Sequence, residues 1–111
     1  MIGCLRPSIT DRVEFLWRYQ RHVPRAAGCY VLAAYDLSVL YIGLASNLSQ
    51  RMANHLDDAQ KRVGSGGKVP FWFYSLVLDR DAVRAVERGW LNESILRDGG
   101  LPPLNRVHSP V

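Results

Sequence analysis

Two short apolar runs stand almost next to each other in the chain, and they constrain its fold most. GCYVLAAY covers residues 28–35 and SVLYIG covers residues 38–43, with only Asp36 and Leu37 between them. So short a connection favours an antiparallel hairpin. Both runs are apolar on both sides of their alternation, which is typical of strands covered on both faces. We therefore predict a layered fold in which this hairpin lies between other elements.

Capping residues place the remaining elements. Ser8 or Thr10 can cap an N-terminal helix. Asn47 and Gln50 have the spacing of a capping box at the start of a second helix. Asp79 can cap a last long helix after the apolar run VPFWFYSLVLD. The predicted elements are a helix over about 9–22, the hairpin, a helix from about Leu48 to roughly Arg62, a strand within 69–79, a helix ending near Arg97 and an irregular tail.

The composition is that of a globular chain with a mild excess of positive charge. Its 111 residues are close to the usual size of one domain, so we expect a single domain over 1–111. Hydrophobic residues make up 48% and charged residues 22%, which excludes a disordered chain. The net charge of +4 permits a polyanionic partner but does not require one.

Cysteine usage and the lack of long apolar segments indicate a compartment. Cys4 and Cys29 do not form a C-x-x-C pair, and we interpret them as reduced thiols of an intracellular protein. The first residues lack the apolar stretch of a signal peptide, and no apolar run is long enough to span a bilayer. We therefore expect a cytoplasmic protein without a membrane partner.

The hairpin brings two tyrosines to one face. Residues paired across two strands share a face, and so do their neighbours two positions away. In a hairpin closed by a two- or four-residue loop, the numbers of two directly opposed residues have an odd sum. The numbers of Tyr30 and Tyr41 also have an odd sum. Both phenols are then predicted to project from the same face. By themselves, they are more readily explained as core tyrosines than as site residues.

The second predicted helix places two basic side chains beside its apolar stripe. Leu48, Met52 and Leu56 form this stripe, which Ala59 and Val63 extend. Arg51 and His55 lie one turn apart on its flank. We therefore expect both side chains at the rim where the helix meets the sheet.

A carboxylate interrupts the apolar stripe of the last helix. Glu87 falls between Val83, Val86 and Trp90 on the face predicted to be buried. A buried carboxylate is costly unless a cation or several donors compensate it. One interpretation is a buried salt bridge, with Arg51 as a candidate partner; the other is a metal ligand or a general acid or base.

The order of these residues resembles the GIY-YIG nuclease superfamily. GCY is followed by YIG eleven residues later, then by Arg51, His55, a helical Glu87 and Asn105 in the sequence PPLN. The resemblance covers residues 28–105, the motif-bearing core. It implies an α/β (α+β) fold, with a small three-stranded, mostly antiparallel sheet flanked by helices and, here, an extra N-terminal helix.

The resemblance also implies roles for the residues of the hairpin and the second helix. Tyr30 matches the tyrosine proposed as general base, and Tyr41 matches the second tyrosine that supports it and lines the site. Arg51 matches the arginine that steadies the scissile phosphate, and guanidinium geometry suits two phosphate oxygens. His55 matches the histidine that some members place four residues after that arginine. A phenol has an ordinary pKa near ~10, so as a base it needs help, for which His55 is the nearest candidate.

The remaining matches concern the metal and the C-terminal part. Glu87 matches the glutamate that holds a single divalent ion, Mg²⁺ or Mn²⁺, and Asn105 matches an asparagine that buttresses the site. Cys29 replaces the isoleucine of the motif, where we expect a change of packing. Leu44 stands where several members carry a lysine or another polar residue. Its apolar side chain removes one possible activator of Tyr30, so either Tyr30 or His55 remains open as the final proton acceptor.

The function implied is that of a metal-dependent endonuclease. The expected reaction is hydrolysis of phosphodiester bonds in nucleic acid, with DNA as the expected substrate, giving 3′-hydroxyl and 5′-phosphate ends. The alternatives are a catalytically inactive nucleic-acid- or protein-binding module on the same fold and a structural subunit that ignores nucleic acid. Every catalytic position is filled, which argues against inactivity. Because we find no separate recognition domain, we expect weak specificity or a partner protein that supplies it.

Four arginines near the N-terminus have no role in this comparison. Arg12, Arg18, Arg21 and Arg25 recur along the predicted first helix. They are equally compatible with a ridge that faces phosphates and with an ordinary solvated helix face.

Overall fold

Within the described residues, one antiparallel sheet of four strands organises the fold. The computed structural model describes residues 2–58 and 67–108. The strands lie in the order β1-β4-β2-β3, so that β1 and β3 are the two edges. The strands are β1 (Arg12–Glu14), β2 (Gly28–Ala33), β3 (Val39–Ala45) and β4 (Trp72–Val77); the α-helices are α1 (Leu48–Asp57), α2 (Arg80–Asp98) and α3 (Pro103–His108); and two 3₁₀ helices cover Ile2–Cys4 and Trp17–His22.

The predicted hairpin is confirmed, and so is the prediction that its two tyrosines project from one face of the sheet. In the antiparallel pair of β2 and β3, Tyr30 stands opposite Gly43 and Leu32 stands opposite Tyr41. Tyr30 and Tyr41 therefore project from the same face of the sheet. At the tip, Leu37 adopts a left-handed backbone with φ 70° and its N–H donates to the carbonyl of Ala34 at 2.9 Å.

Two apolar clusters cover the two faces of the sheet, as the apolar hairpin predicted. On one face, α1 packs through Leu48, Met52 and Leu56. On the other face, α2 packs through Val83 and Trp90. The sheet contributes Tyr30, Leu32 and Phe73 to the first cluster and Cys29, Val31, Ile42 and Tyr74 to the second.

The predicted N-terminal helix over 9–22 is wrong, and with it the three-strand count. Residues 12–14 instead form β1, which pairs with β4, and Phe15 donates its N–H to the carbonyl of Phe71 at 2.8 Å. Ile9 is buried in the cluster beneath α2, whereas Phe15 is buried in the cluster beneath α1. Ile9 precedes β1 and Phe15 follows it, so the segment that contains β1 supplies apolar side chains to both faces of the sheet.

Two further element boundaries differ from the prediction. Helix α1 ends at Asp57, since Asp58 has an extended backbone with φ −86° and ψ 108°. The predicted extension of this helix over 59–62 lies outside the described residues, and so does Val63. The tail contains α3, where we predicted an irregular segment. The predicted cap of Asn47 is confirmed, because its side chain accepts a hydrogen bond from the Gln50 N–H at 3.1 Å. The predicted cap of Asp79 is wrong, because its side chain makes no capping hydrogen bond.

Within the described parts of the chain, none of the helices is long and apolar enough to cross a membrane.

Candidate active site

Tyr30 lies at the centre of the cluster of predicted site residues. Its side chain is 1% exposed, and its ring stacks on Phe73 with 5.3 Å between centroids and 9° between planes. Its hydroxyl lies 2.6 Å from Nε2 of His55, within hydrogen-bonding distance. The ring of Tyr41 stacks beside it at 6.0 Å. The phenol is therefore held from several sides and is bonded at its reactive atom.

Gly43 makes room for this arrangement. It stands opposite Tyr30 in the hairpin, and a Cβ built on it would overlap Cζ and Oη of the Tyr30 ring. Neither Gly43 nor Phe73 is among the predicted site residues. The signal for Gly43 was available, because a glycine inside a strand often marks a close approach. The stacking of Phe73 follows from the pairing of β4 with β2, which no local pattern reveals.

Helix α1 brings its two basic side chains to the tyrosines. The Asn47 cap sets the start of the helix, and Met52 and Leu56 turn its apolar stripe onto the sheet. His55 is buried at 6% exposed, and its ring meets that of Tyr41 edge-on at 5.2 Å. Arg51 is half-buried one turn earlier. The predicted position at the rim of the sheet is confirmed for Arg51, while His55 is enclosed.

The surroundings keep the Tyr30 phenol protonated. Burial raises the pKa of Tyr30 well above its ordinary value, and the nearby hydroxyl of Tyr41 adds to the rise. The guanidinium of Arg51 opposes this rise, and the carboxylate of Glu87 contributes to it. Because both charges act on one hydroxyl, Arg51 and Glu87 belong to the same electrostatic neighbourhood as Tyr30.

Glu87 is half-buried, less enclosed than the apolar stripe predicted. Burial raises the pKa of its carboxyl, and the neighbouring charges of Arg84 and Arg88 oppose this. Among the described residues, no ion pair joins Glu87 to Arg51, so the predicted alternative of a salt bridge between them is not found. Nor does its carboxylate accept a hydrogen bond from any side chain or N–H of the described residues.

Cys29 connects β2 to helix α2 on the opposite face. It is fully buried, and its Sγ donates to the carbonyl of Val83 at 3.2 Å. Burial, followed by the charge of Glu87, raises the pKa of the Cys29 thiol to about 12. A neutral, buried thiol behaves as a small apolar side chain, which agrees with the expected packing change.

Asn105 holds the edge of the sheet next to the tyrosines. It is 2% exposed, its Oδ1 accepts from the N–H of Ile42 at 2.8 Å, and its Nδ2 donates to the carbonyl of the same residue at 2.9 Å. Ile42 lies on the outer edge strand β3, directly after Tyr41. Asn105 thereby satisfies backbone groups for which β3 has no further strand.

The donor set near Tyr30 suits an ion that needs few protein ligands. Within the described residues, no three His, Cys, Asp or Glu side chains come together as a metal cluster. Glu87 offers one hard oxygen ligand, partly removed from water. Mg²⁺ keeps several waters and takes oxygens from substrate phosphates, so one carboxylate is an adequate protein contribution.

Comparison with known families agrees with this geometry. The model of the GIY-YIG catalytic domain matches residues 26–95. The chain belongs to the GIY-YIG family. The matched region includes both tyrosines, Arg51, His55 and Glu87, whereas Asn105 lies beyond it. Comparison with curated proteins gives no significant match.

Membership carries a general functional conclusion. GIY-YIG domains are nuclease domains, and they generally use divalent metal ions, so the function of this chain is of the nuclease type. Nucleic acid is accordingly the expected class of substrate.

Proposed function

We propose that this protein is a metal-dependent endonuclease that hydrolyses phosphodiester bonds of DNA and leaves 3′-hydroxyl and 5′-phosphate ends. One observation carries the proposal. The hydroxyl of Tyr30, which ordinarily would be a poor base, lies 2.6 Å from a buried imidazole nitrogen of His55. This pair supports a transfer of the proton that an attacking water must lose.

The proton transfer involves Tyr30 and His55 together. In this mechanism the phenol, whose pKa is raised, begins the reaction protonated, and Nε2 of His55 takes the role of acceptor for its O–H. As the water attacks phosphorus, its proton passes to Oη of Tyr30, and the phenolic proton passes to Nε2. The products of this step are a neutral phenol and an imidazolium. Tyr41, half-buried beside Tyr30, extends the hydroxyl network towards the surface and orients the water.

Arg51 and Glu87 deal with the charge of the phosphate. Arg51 donates hydrogen bonds to non-bridging oxygens, where negative charge increases in the transition state. Glu87 would hold the divalent ion, Mg²⁺ or Mn²⁺, through its carboxylate. When bound, such an ion supplies neutralisation of charge on the leaving oxygen. Asn105 positions these groups indirectly, by fixing the strand that carries Tyr41.

Incubation with supercoiled plasmid tests this proposal. We expect nicked or linear DNA with Mg²⁺ and intact plasmid with EDTA, and a parallel incubation with structured RNA tests the choice of DNA. The 3′ ends should be extended by a DNA polymerase, and the 5′ ends should be joined by a ligase without prior phosphorylation. Binding without cleavage under any metal would instead favour the inactive binding module. Cleavage that persists in EDTA would contradict metal dependence.

A further inference from the structure

The positive charge of this protein is unevenly distributed over its surface. Between Phe15 and Leu56 the sequence contains four arginines and only one carboxylate, Asp36. Asp36 is itself paired with Lys68 at 3.1 Å, and hydrogen bonds from Ser38 together with Lys68 lower its pKa to about 2. Helix α2, on the other face of the sheet, mixes four arginines with four carboxylates. Within residues 15–56 arginine therefore exceeds carboxylate, and Glu14 and Asp57 border this stretch.

Three of these arginines lie in one segment next to the candidate active site. Residues 17–25, here called the arginine segment, contain the second 3₁₀ helix and no acidic residue. Gln20 fixes the segment to α1, because its Nε2 donates to the carbonyl of Ser49 at 2.9 Å and to Oγ at 2.7 Å. Ser49 in turn donates its N–H to the carbonyl of Pro24 at 3.1 Å. Val23 of the segment is buried in the same apolar cluster as Tyr30 and Met52, so the segment packs against the layer that contains the site.

The side chains of the arginine segment are available to a partner. Arg18, Arg21 and Arg25 are exposed, and none of them forms an ion pair with a carboxylate among the described residues. The guanidinium of Arg18 lies 6.0 Å from the centre of the Tyr19 ring, within the same segment. Trp17 is 52% exposed at the start of the segment. Exposed arginines interleaved with an aromatic ring are the features of a surface that binds phosphates and stacks on bases.

We infer that the arginine segment is a second nucleic-acid-binding surface, which holds the substrate backbone on one side of the scissile bond while Trp17 contacts a base or sugar. The inference rests on the proposed function of the neighbouring site. Arg12, predicted with the same ridge, is not part of this surface: its guanidinium lies 3.8 Å above the ring of Trp72. A recess of about 180 Å³ beside the segment contains Asp11 as well as Arg12, so the surface has a mixed border there.

Two matched triple variants separate the position of the charges from their number. The variant Arg18→Gln, Arg21→Gln, Arg25→Gln removes three charges from the segment. The control variant, which removes three charges elsewhere, is Arg6→Gln, Arg80→Gln, Arg97→Gln. The measurement is the affinity for a fluorescent DNA duplex in EDTA, over about a fourfold range of salt. Melting of both variants by circular dichroism checks folding, and single Arg→Gln variants replace a triple that does not fold.

We expect the segment variant to bind at least about tenfold more weakly and the control to lose much less. The slope of log affinity against log salt should become shallower by about 0.9 for each phosphate contact that is lost. At limiting enzyme, single-turnover cleavage should fall in the segment variant in parallel with its affinity and should hold in the control. Equal losses in both variants, or none in the segment variant, would overturn the inference.

Trp17 provides an independent readout. Among the tryptophans, Trp90 is fully buried and Trp72 is half-buried, so quenching of fluorescence by DNA should arise mainly from Trp17. The quench should fall in Trp17→Phe, and an undiminished quench would count against the inference.

Two further outcomes separate this inference from its alternatives. If the variants lose affinity for DNA as expected but the wild-type protein never cleaves, the binding surface is supported and the nuclease proposal fails. If the wild-type protein cleaves while both variants bind equally, the nuclease proposal is supported and the binding surface fails. Exposed Trp17 beside arginines also resembles a membrane-surface segment. If the segment variant lost binding to vesicles of anionic phosphatidylglycerol while its DNA binding stayed intact, the choice of nucleic acid as the partner would be overturned.

Discussion

The Tyr30 side chain shows how packing prepares a single residue for chemistry. Its ring is stacked against Phe73, its hydroxyl is bonded to His55, and the space that it occupies exists because residue 43 has no Cβ. A group held in this way needs little reorganisation when the reaction begins. The same enclosure raises its pKa, which is why we propose a bonded pair, and not a lone phenolate, as the base.

Gly43→Ala tests the space around that ring. The added methyl group overlaps Cζ and Oη of Tyr30, so the ring must move away from His55 or the strands must separate. We expect a large loss of cleavage and a lower melting temperature. The control is Gly89→Ala on α2, where the new Cβ meets nothing within 4 Å. It should keep activity and stabilise the helix by about 1 kcal/mol. Full activity in Gly43→Ala would mean that the bonded position of Tyr30 is not needed.

Tyr30→Phe tests the hydroxyl itself. The substitution keeps the stacked ring and deletes only the atom that bonds His55, so the fold should persist. Single-turnover cleavage should fall by at least about a hundredfold, the scale of losing a general base. Tyr35→Phe, at a tyrosine that is 75% exposed at the hairpin tip, is the matched control and should cut normally. A Tyr30→Phe protein with normal rates would make Tyr30 a core residue.

At the scale of elements, Asn105 shows how a distant residue completes an edge strand. The Asn105 side chain forms hydrogen bonds with both the N–H and the carbonyl of Ile42, as a neighbouring strand would do. In this way α3 is attached to the strand that carries Tyr41.

Asn105→Ala should therefore destabilise the protein without removing a reacting group. The buried N–H and carbonyl of Ile42 would lose their partners, at a cost of about 2–4 kcal/mol in unfolding free energy. Urea denaturation measures the loss, and hydrogen exchange should quicken at the Ile42 amide. Asn92→Ala, at an exposed position of α2, should cost nothing. A protein of unchanged stability would show that water or other groups replace Asn105.

The elements that the sequence predicted are those with local signals. The hairpin follows from its short connection, the start of α1 follows from Asn47 and Gln50, and the shared face of the tyrosines follows from parity. Strand β1 has three residues, too few for a periodic pattern, and its partner β4 is about sixty residues away along the chain. The bond from Asn105 to Ile42 spans a similar distance. The end of α1 could not be placed, because no glycine or proline stands between Asp57 and Val63.

On the scale of the whole molecule, the charge of Glu87 relates one face of the sheet to the other. It belongs to α2, which packs against Cys29, yet its charge acts on Tyr30 on the face of α1. The carboxylate of one layer therefore acts electrostatically on a site built mainly by the other.

The raised pKa of Glu87 predicts how stability depends on pH. Its carboxyl binds a proton more tightly in the folded state than in the unfolded state, so its favourable contribution is present below the ordinary pKa. That contribution is lost as the pH rises through the raised value. The melting temperature of Glu87→Gln relative to wild type should therefore increase between about pH 4 and pH 7. A difference that shrinks over this range would mean that a cation stabilises the carboxylate.

Nicking of supercoiled plasmid against Mg²⁺ concentration, with wild type and Glu87→Gln side by side, tests the central claim most directly. Glutamine keeps the shape of the side chain and removes the charge that attracts the ion. Glu93→Gln is the control, since Glu93 lies on the same helix and pairs with exposed Arg97 at 2.9 Å. We predict Mg²⁺-dependent nicking by wild type and Glu93→Gln, and none by a folded Glu87→Gln whose affinity for DNA in EDTA is equal or higher. Full nicking by Glu87→Gln at the same Mg²⁺ concentration would contradict the account.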